Sequence, residues 1–599
     1  MANLARPVNL LPPSVERIIE FKGLNRRTTV AEGEMSDMWN LSSDDYPVLT
    51  QRKPRGRMNL PAGVIRPIRL LSRYDKIAMI ALDNNDDIHF YYGGELISEV
   101  TGLTESTRMV AINNRLCFFP EKKSIDITNL GLQTGTYRSL DADITLASDT
   151  NITISNEDAR ITLPSGHNLK YDDAININGT LKYTPAGGSA TTMPITVSCW
   201  IEDVVNTNTI VLPRETFIEM TGEGATSVKL AADSTIKRPV PDLDHVIEWN
   251  NRLWGASSAD NTIYACKLGD PSNWNYYQGT SMDSYYAEQG TDGDWTGVAL
   301  YSNHLIFFKE DSMCRVYGTA PSNYQVTNSE VFGVEAGSRQ SVVTINDTVY
   351  YKSKIGIMAY SGGIPYCISD GFNAEFRDVT AGTEKRKYYA SIHKKDAGYE
   401  LMVFDTEKKL WHKEDNARFR SCATIGNKLY FIEYADDLLV CSEQIFCSSW
   451  LLCGNGSTTG TVGIVNPDTS YESSDNIKWR AVFGPFDEYL EEHKIYSKLA
   501  LRLKSRYSEG SDITDETDDA IYTDAGEPLK IDNTVKVYIS IDEGDWELVE
   551  TYDPPVTKGD FIPIIPRRCD RYSIKIEGEG NCEIKTLTRR VRQGSFGRL

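Results

Sequence analysis

Short apolar or alternating runs separated by turn-forming residues fill most of the chain, and residues 297–318 show the pattern most completely. Residues 298–301, 305–308 and 313–317 are rich in aliphatic and aromatic side chains, whereas Ser302, Asn303 and Lys309 lie between them. Runs of this length bounded by polar residues are typical of β-strands joined by tight turns. The segment therefore predicts a three-stranded antiparallel meander.

The same pattern recurs at residues 109–125, 245–256, 341–360 and 422–434. In three successive copies the residue after the turn is Leu253, Leu305 and Val349, which gives spacings of 52 and 44 residues. A repeat of roughly 40 to 50 residues is typical of β-propeller blades, which stack to bury both faces of each meander. A large β-sandwich with coincidental turns is the alternative.

We predict an all-β fold: a β-propeller of about six blades, within a range of roughly five to seven, an inserted small β-barrel domain and a C-terminal antiparallel β-sandwich. The meander pattern stops between residues 142 and 238, which are rich in Thr, Asn and Ile, and resumes at His245. The predicted divisions are an N-terminal extended arm at 1–60, propeller parts at 61–141 and 239–447, the inserted domain at 142–238, and the sandwich with a basic tail at 448–599.

The composition of the chain argues against several classes of function. A formal net charge of −21 argues against a general nucleic-acid-binding surface, because such a surface is basic. The 11 cysteines are scattered, which favours reduced thiols in a protein made in a cytoplasm, and only Cys441, Cys447 and Cys453 cluster, with a spacing that fits a metal site poorly. No apolar run reaches membrane-spanning length, so we expect no membrane span and no Sec export.

The sequence contains no complete catalytic motif. It has no G-x-S-x-G, G-K-[ST] or H-E-x-x-H pattern, and its seven histidines are far apart. Residues 83–87 (DNNDD) resemble part of a calcium loop, but a hairpin turn is favoured because the loop's Gly and Glu are missing. Residues 540–546 resemble an Asp-box, which is itself a structural turn. We therefore expect no catalytic residue, no metal and no cofactor, and predict that the protein is not an enzyme.

Apolar anchors in the N-terminal arm are too few to form a core and too apolar for solvent, and a basic stretch follows them. We expect these residues to bind a neighbouring subunit or another protein of the same assembly, in addition to the chain's own propeller; the alternative is that the arm packs entirely on its own first blade. The predicted partner-binding residues are Met35, Met38, Trp39, Leu41, Tyr46, Arg52, Lys53 and Arg55. A basic C-terminal tail, with Arg589, Arg590, Arg592 and Arg598, is either a solvated end or a second docking element.

The arm also carries a family resemblance. G-L-N at 23–25, G-E-x-x-D-x-x-N-L at 33–41, Tyr-Pro at 46–47 and the basic exit at 52–55 resemble the start of tail-nozzle and packaged-DNA stabilisation proteins, which are tail hub-like structural proteins of tailed bacteriophages. N-N-R-L units at 113–116 and 250–253 and G-D-P-S-N-W at 269–274 follow in the same order. The resemblance covers most of the chain.

This resemblance implies a virion structural protein that forms a homo-oligomeric ring in the tail, below the portal and adaptor, and extends and closes the DNA channel until ejection. Its implied partners are further copies of itself, the portal/adaptor or other tail proteins, and phage DNA that passes without specific binding. The implied location is the virion tail, after synthesis in the host cytoplasm. The alternative function is a propeller-based carbohydrate-binding or carbohydrate-active tail protein.

Overall fold

A computed structural model describes residues 14–128, 137–395, 398–434, 460–465, 477–487, 494–505, 535–552, 560–562, 565 and 567–593. Within these residues the fold is all-β, as predicted, and one short α-helix is present. No helix in the described part of the chain is long and apolar enough to cross a membrane.

The predicted arm consists of short strands. They are β1 (Ser14–Ile18), β2 (Gly23–Leu24), β3 (Glu34–Trp39), β4 (Leu41–Ser42), β5 (Leu49–Gln51) and β6 (Gly56–Arg57).

Two meanders follow the arm. Their strands are β7 (Val64–Arg73), β8 (Lys76–Asp83), β9 (Ile88–Tyr92), β10 (Glu95–Leu96), β11 (Arg108–Ile112), β12 (Arg115–Phe119), β13 (Lys123–Asp126) and β14 (Tyr137–Ser139).

The next strands form one nine-stranded sheet and are accompanied by the α-helix. They are β15 (Ala142–Thr145), β16 (Thr150–Ile154), β17 (Asp158–Thr162), β18 (Ala174–Thr184), β19 (Thr191–Trp200), β20 (Asp203–Val204), β21 (Thr209–Pro213), α1 (Glu215–Thr221), β22 (Thr226–Leu230) and β23 (Thr235–Arg238).

Meanders resume with three sheets. Their strands are β24 (His245–Trp249), β25 (Arg252–Ser257), β26 (Thr262–Ala265), β27 (Tyr285–Glu288), β28 (Gly297–Tyr301), β29 (His304–Phe308), β30 (Ser312–Tyr317), β31 (Gln325–Glu330), β32 (Val343–Ile345), β33 (Thr348–Ser353), β34 (Gly356–Tyr360) and β35 (Tyr366–Cys367). Short 3-10 turns lie at Pro321–Asn323, Arg339–Ser341 and Asp370–Phe372.

The last meanders and the C-terminal strands complete the chain. They are β36 (Phe376–Glu384), β37 (Lys387–Lys394), β38 (Gly398–Asp405), β39 (Leu410–Lys413), β40 (Phe419–Ile425), β41 (Lys428–Tyr434), β42 (Gly460–Val465), β43 (Lys478–Phe486), β44 (Lys494–Ser505), β45 (Val535–Ile541), β46 (Glu547–Tyr552), β47 (Asp560–Ile562), β48 (Arg567–Cys569), β49 (Tyr572–Glu579) and β50 (Cys582–Gln593).

Seven four-stranded sheets in the described residues have the meander order of propeller blades. They are β7 to β10, β11 to β14, β24 to β27, β28 to β31, β32 to β35, β36 to β39, and β40-β41-β42-β6. The fold is thus a β-propeller with seven such sheets, at the upper end of the predicted range. The last sheet takes its outer strand from the arm, because Gly56 pairs with Ile464 and Arg57 with Gly463.

The turns explain why these segments fold as meanders. Asn250 and Asn251 both have positive φ angles, 52° and 57°, between β24 and β25. Asparagine tolerates this left-handed conformation, and two such residues in sequence form the turn whose twist matches antiparallel strands. The middle strand β29 that follows a similar turn at Ser302 is buried along its whole length, as a strand covered on both faces requires.

Residues 142–238 form a curved sheet with its own core. The sheet order is β15-β23-β18-β22-β16-β17-β21-β20, with β19 on β18, and this open arrangement is a half-barrel. Its core is built from the inward-facing aliphatic side chains of most of its strands together with Phe217 of α1. The first and last strands pair, with Ala142 opposite Arg238. The independence of this segment remains a prediction.

The C-terminal strands form two sheets that incorporate most of the arm. One has the order β2-β3-β43-β49-β45-β46, and the other β4-β5-β50-β44-β47 with β1 on β50 and β48 on β44. Residues 1–60 therefore supply strands both to this sandwich and to a propeller sheet. The strand β42 belongs to the propeller sheet although it lies beyond the predicted boundary at 447, which itself falls outside the described residues.

The chain divides into two compact units. Unit 1 contains Met1–Leu60, Tyr350–Tyr360 and Tyr366–Leu599, and unit 2 contains Pro61–Val349 and Ser361–Pro365. The arm, the sandwich and the last two propeller sheets belong to unit 1. The inserted half-barrel and the first four propeller sheets belong to unit 2.

Candidate functional site

The apolar anchors of the arm lie in the core of unit 1. Met35, Met38 and Leu41 are each at most 1% exposed. A β-bulge between Met35 and Asp37, where β3 pairs with β43, allows two methionines three residues apart to point inward together. The prediction that these three residues need a partner's surface is therefore wrong, because the chain's own sandwich buries them.

The basic residues of the arm are also held within the chain. Arg55 lies 2.8 Å from Glu414 and 2.7 Å from Asp415, and its guanidinium is 5.6 Å from the centre of the Phe431 ring. Arg52 donates to Asn40 at 2.7 Å and lies 3.8 Å from Asp415. The acidic groups expected on a partner are thus supplied by Glu414 and Asp415, directly after β39.

The electrostatic environment of Arg55 and Asp415 favours the charged form of both side chains. Burial acts to lower the pKa of Arg55, but the carboxylates of Asp415 and Glu414 outweigh it and raise the pKa above its usual value. Burial likewise acts to raise the pKa of Asp415, but Arg55 and Arg52 lower it. Buried charges are tolerated when they are paired in this way, and removal of one partner is costly.

A second ion cluster, which sequence reasoning missed, surrounds Glu400 on β38. Its carboxylate accepts from Arg26 of the arm at 2.8 and 3.1 Å and from Lys413 at 2.9 Å, and Lys394 lies 2.8 Å away. Burial acts to raise the pKa of Glu400, but Arg26 and then the lysines outweigh it and lower the pKa to about 2. The signal in the sequence was an acid among the aromatic and aliphatic residues at 399–404 of β38.

Two glycines of the resembling motifs fix the path of the arm. Gly23 has a φ of 87°, and a Cβ there would lie 2.3 Å from the carbonyl oxygen of Trp411. Gly33 has a φ of 89°, and a Cβ there would lie 2.3 Å from the carbonyl oxygen of Glu20. Only glycine combines this backbone conformation with so close an approach. The motif residues therefore position the arm.

Three predicted partner-binding residues keep exposed surface. Lys53 is 63% exposed and lies 3.6 Å from Asp44. Tyr46 is half-buried and contacts Glu20. Trp39 is half-buried, and the amine of Lys413 lies 4.9 Å from its ring centre. A partner-binding role for these three residues remains a prediction.

Trp39 also borders a groove on the sandwich. The cavity is about 590 Å³ and is lined by Trp39, Lys478, Trp479, Arg480, Lys536, Glu577, Gly578 and Glu579. Trp39, Arg480, Glu577 and Lys536 are cross-strand neighbours on four adjacent strands. In this row of four side chains the aromatic ring of Trp39 is followed by one positive, one negative and one positive charge.

The predicted basic tail begins inside a strand. Arg589 is buried in β50, with its guanidinium 3.7 Å from the centre of the Phe486 ring and 3.3 Å from Glu32 of the arm. Arg590 pairs with Val15 of β1 in the same strand. The expectation of a solvated or docking tail is therefore wrong for Arg589. The side chain of Arg592 and the whole of Arg598 lie outside the described residues.

In unit 2, the G-D-P-S-N-W motif at residues 269–274 contacts the inserted half-barrel through polar side chains. Asn273 accepts from the backbone N–H of Ala174 at 3.0 Å and donates to Asp173 at 3.2 Å and to Asp270 at 2.6 Å. Asp173 also forms a buried ion pair with Arg238. Burial acts to raise the pKa of Asp270, but Lys170, 2.8 Å away, and the hydrogen bonds of Ser272 lower it to about 2. A polar cleft of about 510 Å³ lies beside this junction.

The calcium-like sequence forms the expected turn. Asp83 accepts from the backbone N–H groups of Asn85 at 2.8 Å and Asp87 at 3.0 Å, and these bonds lower the pKa of its carboxyl. Asp83, Asp87 and His89 offer possible ligand atoms within 4.8 Å of one another. The turn geometry accounts for the arrangement, because Asp83 stabilises the hairpin between β8 and β9. The cysteines 441, 447 and 453 lie outside the described residues.

No family model and no curated protein matches the chain. Solved structures that align with it include a phage phi92 endosialidase, 11% identical over 85% of each chain with a TM-score of 0.25. AztD from Citrobacter koseri is 9% identical over 63% of this chain and 86% of that chain, also with a TM-score of 0.25. A Mycobacterium tuberculosis puromycin-hydrolyzing peptidase is 7% identical over 64% and 62%, with the same TM-score. Similarities of this size carry no argument about function.

Proposed function

We propose that this protein is a structural subunit of a tailed-bacteriophage virion, a tail nozzle or stabilisation protein that forms a ring and extends and closes the DNA channel below the portal/adaptor. The observation that carries the proposal is the arm. The residues that resemble the phage family include Gly23, Gly33, Arg52 and Arg55, and these are residues that hold the arm in unit 1. The resemblance therefore involves residues with a defined architectural role.

The chemistry of the described residues supports a structural role. The two carboxylates whose pKa is lowered to about 2, Glu400 and Asp270, are held ionised by cations, so neither can donate a proton near neutral pH. The net charge of −21 repels DNA, which suits passage without adhesion. Exposed residues of the arm, above all Lys53, provide contacts to a neighbouring copy or to the portal/adaptor.

Electron microscopy of the purified protein, with gold-labelled antibodies on intact particles, tests the proposal. We expect rings from the pure protein and label at the tail. Lys53→Glu should reduce ring formation without a change in thermal unfolding, whereas Lys585→Glu, the same charge change on β50 of the sandwich, should assemble normally. Monomers at every concentration together with unlabelled tails would reject the nozzle assignment.

A second candidate function, glycan binding, is favoured by the groove beside Trp39. Aromatic rings beside polar and charged groups are suited to bind sugars. The groove lies on the sandwich, so this is a different site from the propeller face of the predicted alternative. A glycan array probed with the native protein and with Trp39→Ala tests it: binding lost in the variant supports the candidate, and no bound glycan rejects it.

A further inference from the structure

A cleft in unit 2 lies where the second propeller sheet meets the inserted half-barrel. Its volume is about 510 Å³, and its walls come mainly from the sheet β11 to β14, from residues 168–172 before β18 and from residues 267–272 after β26. Clefts that bind small molecules usually enclose roughly 300 to 1,000 Å³. This cleft is therefore large enough for a monosaccharide or a nucleotide.

Positive charges outnumber negative charges in the lining of this cleft. Five lining side chains are cationic and two are acidic, although the whole chain carries a net charge of −21. Three of the cations are paired with carboxylates, namely Lys170 with Asp270, Lys267 with Asp172 and Arg238 with Asp173. The first two of these ion pairs join the half-barrel to the segment after β26. The other two cations are Arg115 of β12 and Arg138 of β14.

Arg115 is the cation whose surroundings favour a ligand. Its guanidinium donates to the hydroxyl of Ser124 at 3.2 Å, and it forms no ion pair within the part of the chain that the structure describes. Asp126, directly opposite Arg115 in β13, interacts with its charge at longer range, but accepts its hydrogen bonds from the backbone N–H and the hydroxyl of Thr128 at 2.9 and 2.6 Å. Since a guanidinium has five N–H donors, most of those of Arg115 remain available.

Arg138 lies on the same face of the sheet as Arg115. It is directly opposite Ser124 in the antiparallel pair of β13 and β14, and Ser124 is the residue that accepts from Arg115. Side chains that are opposite or diagonal to one another on neighbouring strands lie within interaction distance. Arg138 is exposed and Arg115 is half-buried, so a ligand in the cleft can reach both. The two guanidiniums therefore give one wall of the cleft a positive charge.

Exposed apolar side chains border the same cleft. Tyr171, Leu268 and Met282 line it and are 67%, 37% and 45% exposed. Sites for small molecules combine apolar surface of this kind with a few polar groups that fix the orientation of the ligand. The cleft therefore offers contacts both to an anionic group and to the apolar face of a ring.

We propose that this cleft binds a small molecule in which a sugar ring carries an oxyanion, either a carboxylate or a phosphate group. Arg115 and Arg138 bind the oxyanion through charge-assisted hydrogen bonds, which guanidinium groups form with both anions. Tyr171 contacts the apolar face of the ring. The cleft lies in unit 2, whereas the groove beside Trp39 lies in unit 1. The proposal is independent of the proposed tail function and stands or falls separately.

Isothermal titration of the full-length protein tests the site with three ligands that share one sugar ring, glucose, glucuronate and glucose 6-phosphate, at constant ionic strength. We expect at least one of the charged ligands to bind and glucose not to bind; a charged ligand that alone binds identifies the oxyanion. Arg115→Met should weaken binding by about tenfold or more, and Tyr171→Ala by about threefold or more. Arg160→Met, at an exposed ion pair on the half-barrel, and Tyr366→Ala, at an exposed tyrosine outside the cleft, should bind like the native protein.

Thermal unfolding distinguishes lost binding from misfolding. Without ligand, Tyr171→Ala should unfold at the temperature of the native protein, because this side chain is largely exposed. A saturating charged ligand should raise the unfolding temperature of the native protein by more than that of the variant. Arg115→Lys, which keeps the charge but not the planar fork of donors, should retain partial binding. Absence of binding by both charged ligands would overturn the proposal, as would glucose that binds as tightly as they do, or binding that neither Arg115→Met nor Tyr171→Ala weakens.

Discussion

Replacement of Glu400 by glutamine should increase the fraction of molecules in which the N-terminal arm is detached from the rest of unit 1. The substitution keeps the shape of the side chain but removes the negative charge shared by Arg26, Lys394 and Lys413, whose side chains are 15%, 14% and 7% exposed. Three cations would then remain close together and largely buried, and Asp37, 3.4 Å from Arg26, would compensate only one of them. Breaking a buried ion pair by removing one partner costs roughly 3 to 5 kcal/mol.

The pKa of Glu400 gives an independent magnitude. A fall from the usual 4.5 to about 2 corresponds to roughly 3 kcal/mol of stability at neutral pH, since each unit is worth about 1.4 kcal/mol. Because the folded-state pKa is lowered, this stability is present above the unfolded pKa and is lost as pH falls toward the folded value. The difference between the native protein and Glu400→Gln should therefore shrink to about 1 kcal/mol at pH 3.

Proteolysis after Arg26 and Arg27 measures arm release directly. At pH 7, cleavage in Glu400→Gln should be about 100-fold faster than in the native protein, if it follows the population of the released arm. Glu543→Gln makes the same chemical change at an exposed ion pair with Arg571 and should leave cleavage unchanged. Native-like cleavage in Glu400→Gln, or a stability difference that is the same at pH 7 and pH 3, would refute the reasoning.

Gly23→Ala should lower the free energy of unfolding of unit 1 by more than about 2 kcal/mol, because the new Cβ clashes with the carbonyl oxygen of Trp411 in addition to straining the backbone. Urea unfolding measures this loss. The control is Gly63→Ala, where φ is a similar 84° but no atom lies within 4 Å of a new Cβ. Equal losses would show that the clash does not matter. Residues 140–240 expressed alone should unfold cooperatively in calorimetry, because the end strands pair at Ala142 and Arg238 and the sheet has its own core; a segment without a transition would contradict this. Cys117, whose pKa burial raises to about 12, should resist iodoacetamide at pH 8 until urea unfolds the protein, as mass spectrometry can establish; equal labelling in both states would argue against it.

The propeller meanders were predictable because their information is local. Each strand and its turn lie within a few residues, and the left-handed conformation of Asn250 and Asn251 follows from side-chain chemistry alone. The same holds for Asp83, whose turn is formed by its immediate neighbours. The spacing of such units was sufficient to indicate a propeller.

The place of the arm was not predictable because its partners are distant in the sequence. Arg55 pairs with Glu414, 359 residues away, and Arg26 with Glu400, 374 residues away. A run of apolar anchors indicates that a surface is needed but not which chain provides it. The bulge after Met35 further breaks the alternation that identifies an inward face. The predicted count of about six blades was lower than the seven sheets observed for the same reason, because β6 and β42 pair across a long sequence separation and lie outside the predicted propeller segments.

The pairing of the arm with the C-terminal strands determines the order in which parts of the chain can fold during synthesis. Residues 14–51 pair in part with residues 480–483 and 583–591, so their final partners emerge from the ribosome after most of the chain. At about 5 to 20 residues per second, the arm waits on the order of half a minute or more. Unit 2, which is almost continuous from Pro61 to Val349, has no such delay. We therefore expect unit 2 to fold during translation while the arm is still accessible to chaperones.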